Sequence, residues 1–131
     1  MKAPRFPLET KRIYTSIAFS CLYLLTSTCE GFGIVFLESM LHGTPVIAGN
    51  RDGSVDALAG GELGVLVDPL DVSAIATAIT DVLARRADPR VLDADFLKAR
   101  VYAMFGYPRW KDSLRQLLAE EVSFSRRKGG P

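Results

Sequence analysis

The 131-residue sequence has few cysteines, one histidine and almost no excess of charge. Its two thiols, Cys21 and Cys29, provide no disulfide framework and lack the paired CxxC spacing of a zinc site, so we expect reduced thiols in a cytoplasmic protein. The formal net charge of +1 gives no support for binding to a polyanion. We therefore expect no nucleic-acid partner and no metal site.

The sequence also lacks an apolar run long enough to cross a membrane. Its longest candidate, residues 13–25, has roughly 13 residues against the about 20 that a spanning helix needs. Basic residues precede it, as in a secretory signal peptide, but residues 26–29 form a poor cleavage site. We expect a helix followed by a buried strand here, with the signal peptide as the alternative. The basic residues are Lys2, Arg5, Lys11 and Arg12.

What remains has the composition of one globular domain. The sequence is 48% hydrophobic and 24% charged, and its length suits a single unit covering residues 1–131. We expect the C-terminal residues 124–131, which contain a short basic run and end in Gly-Gly-Pro, to form a solvated, frayed tail.

The apolar pattern predicts three short strands that alternate with helices. The strands are expected at residues 22–27, 45–48 and 65–67. Pro45 stands at the first position of the second strand, where a missing amide is tolerated. The first strand leads into a loop at residues 29–33. This alternation indicates an α/β fold with a short parallel sheet of about three strands and flanking helices.

Helix signals fill the intervals between the strands. After the loop, a helix is expected from Ile34 to near His42, with Gly43 as a left-handed C-terminal cap, and a short helix is expected at residues 54–58. Asp71 is the expected N-cap of a long amphipathic helix. Its expected core residues are Ile75, Ile79, Val82 and Leu83, with Arg85 and Arg86 near its negative end. Further helices are expected at residues 95–104 and after Pro108, the last with Trp110, Leu114, Leu117 and Leu118 on one face.

One segment combines glycines, carboxylates and a helix start. It runs Glu30-Gly31-Phe32-Gly33 and then through the apolar helix to Glu38. Two glycines beside a carboxylate suit a loop whose backbone amides approach a ligand closely, and the N-terminus of the following helix favours an anion. Eight residues of helical rise would separate the two glutamates by about 12 Å, broadly on one side.

This segment resembles the glutamate-glycine-phenylalanine-glycine signature of retaining nucleotide-sugar glycosyltransferases with the GT-B fold, in particular glycosyltransferase family 4. The similarity continues through residues 43–48, 53–56, 64–69 and 105–110. It implies part of a Rossmann-like C-terminal domain that binds a nucleotide-sugar as substrate, with no cofactor and no metal. Counted in the doubly wound order 3-2-1-4-5-6, the three strands would be strands 4, 5 and 6, which leaves strand 4 at an exposed edge.

The resemblance implies roles for the residues of the segment, and their chemistry agrees. Glu30 would contact the transferred sugar, because carboxylates accept strong hydrogen bonds from hydroxyls. The amides of Gly31, Phe32 and Gly33 would face the sugar hydroxyls and the diphosphate. Glu38 would hold the ribose. No catalytic residue is assigned; Glu30 is the candidate that contacts sugar.

Plainer interpretations stand beside these roles. Glu30 would otherwise be a surface acid in a turn, and Glu38 a solvated helix residue. The side chains of Phe32, Phe36 and Met40 would otherwise belong to the core and not contact a ligand. His42 at a helix C-terminus needs no catalytic explanation. Phe36 also breaks the third glycine of a GxGxxG pattern, which argues against a nicotinamide dinucleotide.

The family's other functional groups have no counterpart in these residues. In the family, an N-terminal domain supplies the acceptor site and a histidine, and an arginine and a lysine of the C-terminal domain contact the donor phosphates. Enzymatic activity is therefore left open between three hypotheses. The chain would be the donor-binding part of a glycosyltransferase that needs its N-terminal half or a partner chain, a non-catalytic module that binds a nucleotide-sugar or a protein, or an inactive truncated remnant.

Overall fold

The structure is a computed structural model that describes residues 16, 17 and 20–128, and only the backbone of residues 121–128. Strands and helices alternate along the described chain as far as the helix after the third strand, and two further helices follow, as predicted. The strands are β1 (Tyr23–Leu25), β2 (Val46–Gly49) and β3 (Val65–Val67). The helices are α1 (Ile34–Leu41), α2 (Ser54–Ala57), α3 (Val72–Leu83), α4 (Ala94–Phe105) and α5 (Tyr107–Lys128), with 3-10 turns at Ala59–Gly61 and Pro89–Leu92.

The three strands form one parallel sheet in the order β1-β2-β3. Central strand β2 is buried along its whole length, because helices cover both of its faces. The predicted α/β class with a short parallel sheet is therefore confirmed. Strand β1 lies at one edge and is shorter than expected. The carbonyl of Pro45 accepts the Tyr23 amide at 2.8 Å, so the proline joins the ladder through its only backbone hydrogen-bonding group.

Alternating residues of β2 divide the core between the two faces of the sheet. Val46 and Ala48 belong to a cluster with α1, α2 and α4, while Ile47 belongs to a second cluster with α3. This alternation follows from the two-residue period of a strand. The first cluster includes the fully buried residues Phe36, Met40, Leu58, Leu63 and Leu97. It lies under α1 and anchors the helix that carries Glu38.

Helix α1 ends as the sequence predicted. His42 follows its last helical residue, and Gly43 has φ +81. The Gly43 amide donates to the Met40 carbonyl at 2.9 Å. Glycine adopts this left-handed conformation without the steric cost that a side chain would bring.

Helix α3 departs from the prediction at one core position. Asp71 caps it as expected, accepting the Ala74 amide at 2.9 Å. Leu83, however, is 52% exposed, whereas Ala78 and Val82 are buried. The prediction that Leu83 faces the core was wrong because a residue directly after Val82 is rotated by about 100° around the helix.

The last helix differs in its boundaries and surroundings. It begins at Tyr107, one residue before Pro108, which sits within the first turn where proline is tolerated. Its backbone is helical through Lys128. The frayed tail at residues 124–131 stays a prediction, and residues 129–131 lie outside the described chain. The apolar residues predicted to share one face are all exposed, namely Trp110, Leu114, Leu117 and Leu118.

Candidate functional site

The glycine-containing loop lies where β1 ends and α1 begins. In an open parallel sheet, ligands bind beyond the carboxyl ends of the strands, and residues 30–33 occupy that position. Gly31 and Phe32 are exposed, Glu30 is half-buried, and Glu38 is half-buried in the second turn of α1. Ile34 and Val35 open α1, and the first amides of a helix have no acceptor in a preceding turn. They therefore present a partial positive charge next to the loop.

Gly33 determines how the loop enters α1. It has φ +75 and ψ 62, a left-handed conformation, and occupies the N-cap position. A Cβ atom built there would lie 2.4 Å from Cε2 of Phe36 and 3.3 Å from Cγ of Glu30. The Gly33 carbonyl accepts the Phe36 amide at 2.9 Å. Only glycine satisfies both the backbone conformation and the space available.

Gly53 allows the loop after β2 to pack directly against the first loop. A Cβ atom at Gly53 would lie 1.3 Å from the carbonyl oxygen of Gly31, so no side chain fits. The Gly53 amide donates to the Glu30 carbonyl at 3.2 Å. The two loops therefore meet backbone to backbone, which explains why the sequence carries glycines at both positions.

Asp52 bonds to both loops and was missed by the sequence analysis. Its Oδ2 accepts the Glu30 amide at 2.7 Å, and its Oδ1 accepts the Ser54 amide at 3.0 Å. The nearby Ser54 side chain and these two amides hold the pKa of Asp52 below its ordinary value of 3.8, against a smaller opposing effect of desolvation. The buried Ser54 hydroxyl is nevertheless not in hydrogen-bonding geometry with the carboxylate. An aspartate two residues before a helix start is a turn signal, but nothing in the sequence signals the bond to Glu30.

Tyr23 lies within electrostatic reach of both Glu30 and Glu38. Its ring packs edge-on against Phe36, with ring centroids 6.1 Å apart. Burial raises the pKa of the Tyr23 hydroxyl above 10.0, and the negative charges of Glu30 and Glu38 raise it further. Both carboxylates therefore act electrostatically on one tyrosine, which the sequence analysis did not single out.

The helical spacing used for the two glutamates was nevertheless wrong. Helix α1 begins at Ile34, so Glu38 lies on the helix whereas Glu30 lies in the loop before it. The left-handed Gly33 turns the chain between them. The separation of the two glutamates therefore cannot be calculated from a continuous helical rise.

Phe32 differs from the other apolar residues of the motif. Phe36 and Met40 are fully buried, as expected of core residues, but Phe32 is 38% exposed. Its ring packs edge-on against Phe105 at a centroid distance of 5.6 Å. It lines a shallow groove of about 400 Å³ between the loop and the two last helices. Phe32 therefore borders the site rather than filling the core.

His42 has a local role at the end of α1. Its Nδ1 lies 2.8 Å from the carbonyl oxygen of Glu38 and donates to it when that nitrogen carries the proton. This agrees with the expectation that a histidine at a helix C-terminus is favourably placed. Within the described residues, no cluster of three or more histidine, cysteine or acidic side chains could hold a metal ion. None of the described helices is long and apolar enough to cross a membrane.

Comparison with known proteins agrees with this architecture. The crystal structure of Anabaena Alr3699/HepE in complex with UDP matches with a TM-score of 0.61 and 28% sequence identity, over 82% of this chain and 29% of that chain. The D-inositol 3-phosphate glycosyltransferase of Corynebacterium urealyticum is 33% identical over 115 residues, which are 88% of this chain and 25% of that protein. A GDP-mannose-dependent alpha-(1-6)-phosphatidylinositol monomannoside mannosyltransferase of Mycolicibacterium smegmatis is 40% identical over 82 residues, which are 63% of this chain and 20% of that protein.

The chain thus spans a quarter or less of the length of these two relatives. The sequence model of the family described as glycosyl transferases group 1 matches residues 5–95, which is more than half of the chain. This match includes β1, the loop, α1 and the three strands of the sheet, and it confirms the resemblance drawn from the sequence. The chain belongs to the glycosyl transferases group 1 family.

Proposed function

We propose that this chain forms the donor-binding part of a retaining glycosyltransferase and binds a nucleotide-sugar at the loop between β1 and α1. The observation that carries the proposal is the loop itself. Gly33 and Gly53 shape it, it sits at the positive end of α1, Glu30 begins it, and Glu38 follows in the second turn of α1. That arrangement offers acceptors for hydroxyls and donors for phosphates within one short segment.

Each part of the donor has a partner in this assignment. Glu30 accepts hydrogen bonds from the sugar hydroxyls, and Glu38 accepts those of the ribose. The amides of Gly31, Phe32 and Gly33 donate to the sugar hydroxyls and the diphosphate. The half-buried positions of both glutamates support these roles, because hydrogen bonds to a carboxylate are stronger where water is partly excluded.

In the transfer step, the bond between the anomeric carbon and the diphosphate oxygen breaks, the oxygen of the acceptor hydroxyl forms a bond to that carbon, and the hydroxyl proton passes to the departing diphosphate. Negative charge develops on the departing nucleoside diphosphate. Amides at the N-terminus of α1 stabilise that charge if they lie closer to it than in the bound substrate. The acceptor site would come from an N-terminal domain or a partner chain, and the basic side chains that contact the donor phosphates would come from the first half of the C-terminal domain.

The alternative proposal is a non-catalytic module that binds a protein through the edge of the sheet. Strand β1 lies at that edge, and Leu24 in its centre is 40% exposed. An exposed strand can pair with a strand of a second protein. In either case we place the protein in the cytoplasm, where the exposed thiols of Cys21 and Cys29 stay reduced.

The test is a titration of the isotopically labelled 131-residue chain with UDP and with GDP, observed through backbone amide resonances. We expect shifts in the loop at residues 30–33 and at Glu38. Because Glu30 is proposed to contact the sugar, its contribution is tested by measuring the binding of UDP-glucose and GDP-mannose. We expect Glu30→Gln to weaken binding of the sugar nucleotide about tenfold or more while leaving the affinity for the bare diphosphate nearly unchanged.

The outcomes separate the hypotheses. Hydrolysis or transfer of the sugar by the purified chain, lost in Glu30→Ala, would support an enzyme that is active alone. Binding without turnover would support a donor-binding part or a binding module. Shifts confined to residues far from the loop would contradict the proposed site, and no binding of any of these nucleotides would favour either the protein-binding module or an inactive remnant.

A further inference from the structure

Both polar groups of the Glu30 backbone are bonded to the loop after β2. The Glu30 amide donates to Asp52 Oδ2 at 2.7 Å, and the Glu30 carbonyl accepts the Gly53 amide at 3.2 Å. Asp52 and Gly53 are adjacent residues, and Asp52 lies 22 positions along the chain from Glu30. The Glu30 main chain is therefore held by a neighbouring loop rather than by its own.

The second oxygen of Asp52 fixes the loop that provides this hold. Asp52 Oδ1 accepts the Ser54 amide at 3.0 Å, at the point where α2 begins. One carboxylate thus connects the start of α2 to the loop that precedes α1. No side chain fits between Gly53 and the Gly31 carbonyl, so the backbones of the two loops lie in direct contact.

We propose that Asp52 is a positioning residue of the donor site. Its carboxylate holds the Glu30 backbone, so that the Glu30 side chain and the loop amides face a bound nucleotide-sugar together. A loop ordered before binding loses less conformational entropy when the ligand arrives, and this raises affinity. This inference rests on the proposed function of the loop.

The chemistry of the bond requires the ionised form of Asp52. Both of its oxygens accept backbone amides, and a protonated carboxyl or a side-chain amide would lose one of the two acceptors. Asp52→Asn is therefore nearly identical in shape but cannot keep both bonds. Its local turn has a match elsewhere in the chain, because Asp88 Oδ1 also accepts the amide two residues on, that of Arg90, at 2.9 Å.

The first experiment measures hydrogen exchange of the Glu30 amide in the full chain. We expect Asp52→Asn to speed this exchange about tenfold or more, because a hydrogen bond to a charged group is lost. Asp88→Asn is the matched control, because it makes the same substitution at a turn aspartate that accepts only one backbone amide, and it weakens the ion pair with Arg90 without touching the loop. It should leave Glu30 exchange unchanged. Unchanged exchange in Asp52→Asn would overturn the inference.

The second experiment measures the dissociation constants of UDP and GDP for the same variants, with thermal unfolding as the readout of folding. We expect Asp52→Asn to weaken binding about tenfold at a temperature where it is fully folded, and Asp88→Asn to bind as the unaltered chain does. A residue with only a structural role would lower the unfolding temperature without changing the affinity of the folded protein. That result would overturn the inference.

Failure of the proposed function would look different. If the unaltered chain binds neither UDP nor GDP, the donor-site role of Asp52 falls together with the proposed function, while the exchange experiment still decides whether Asp52 holds Glu30. If Asp52→Asn does not fold, Asp52→Glu replaces it. That variant keeps the charge but shifts the carboxylate by one methylene, and the same increase in Glu30 exchange is expected.

Discussion

At the scale of single residues, the site depends on two glycines that exclude side chains for different reasons. Gly33 has both a left-handed backbone and a crowded surrounding, whereas Gly53 has an ordinary φ of −61 but lies against the Gly31 carbonyl. Gly60 provides a contrast, because it has φ +68 and nothing within 4 Å of an added Cβ. Gly33 thus combines a left-handed backbone with crowding, whereas Gly60 has the left-handed backbone alone.

We predict that Gly33→Ala destabilises the protein more than Gly60→Ala does. The left-handed conformation costs each alanine about 1–2 kcal/mol. Only at position 33 does the new methyl group also meet the Phe36 ring, which should add about 1–3 kcal/mol. Urea unfolding followed by circular dichroism measures both variants. Equal losses would mean that Phe36 moves away without cost and that the loop is less tightly packed than its geometry indicates.

At the scale of elements, the helices show what a periodic pattern can and cannot predict. The caps of α1 and α3 were predictable from Gly43 and Asp71, because capping is local chemistry. The buried residues of α3 were less predictable than its cap. A leucine at position 83 fits an apolar stripe by composition, but the stripe that faces the sheet passes through Ala78 and Val82.

Truncation of two neighbouring residues of α3 should therefore lower the free energy of unfolding by different amounts. We predict that Val82→Ala costs about 2 kcal/mol of unfolding free energy, because Val82 is 3% exposed and loses two buried methyl groups. Leu83→Ala removes more atoms but should cost less than about 1 kcal/mol, because that side chain is 52% exposed. Chemical denaturation of the two variants tests this order. A larger loss for Leu83→Ala would restore the original core assignment.

At the scale of the whole molecule, the fold and the site were not equally predictable. Three apolar runs separated by helix signals were enough for the α/β class, and the motif from Glu30 to Glu38 was enough for the family. The contacts of Asp52 and Tyr23 were not, since both join segments that are distant in sequence and become neighbours only when the parallel strands align. Long-range pairing of this kind leaves no periodic trace in one sequence.

Three turn aspartates, Asp52, Asp68 and Asp88, have lowered pKa values and therefore make the stability depend on pH. For Asp68, the Leu70 amide and then Arg51 lower the pKa below 3.8; for Asp88, the Arg90 side chain and then its amide do so. The pKa of Asp52 is lowered as well. Because the folded-state values lie below those of the unfolded chain, their contribution is fully present above the ordinary value of 3.8 and is lost as the pH falls through the folded-state pKa values. At the alkaline end, the raised pKa of Tyr23 gives a contribution that is present below pH 10.0 and is lost as the pH rises through its folded-state pKa.

We predict that the unfolding temperature is nearly constant between about pH 5 and about pH 8 and falls steeply below pH 4. Scanning calorimetry across this range measures it. The triple variant Asp52→Asn, Asp68→Asn, Asp88→Asn should unfold at a lower temperature at neutral pH and lose less on acidification, because groups that cannot titrate bind no extra protons on unfolding. Restoring Asp52 alone should recover part of the acid dependence together with the slow exchange of the Glu30 amide. If the triple variant lost as much stability in acid as the unaltered chain, the dependence would have to arise from other carboxylates.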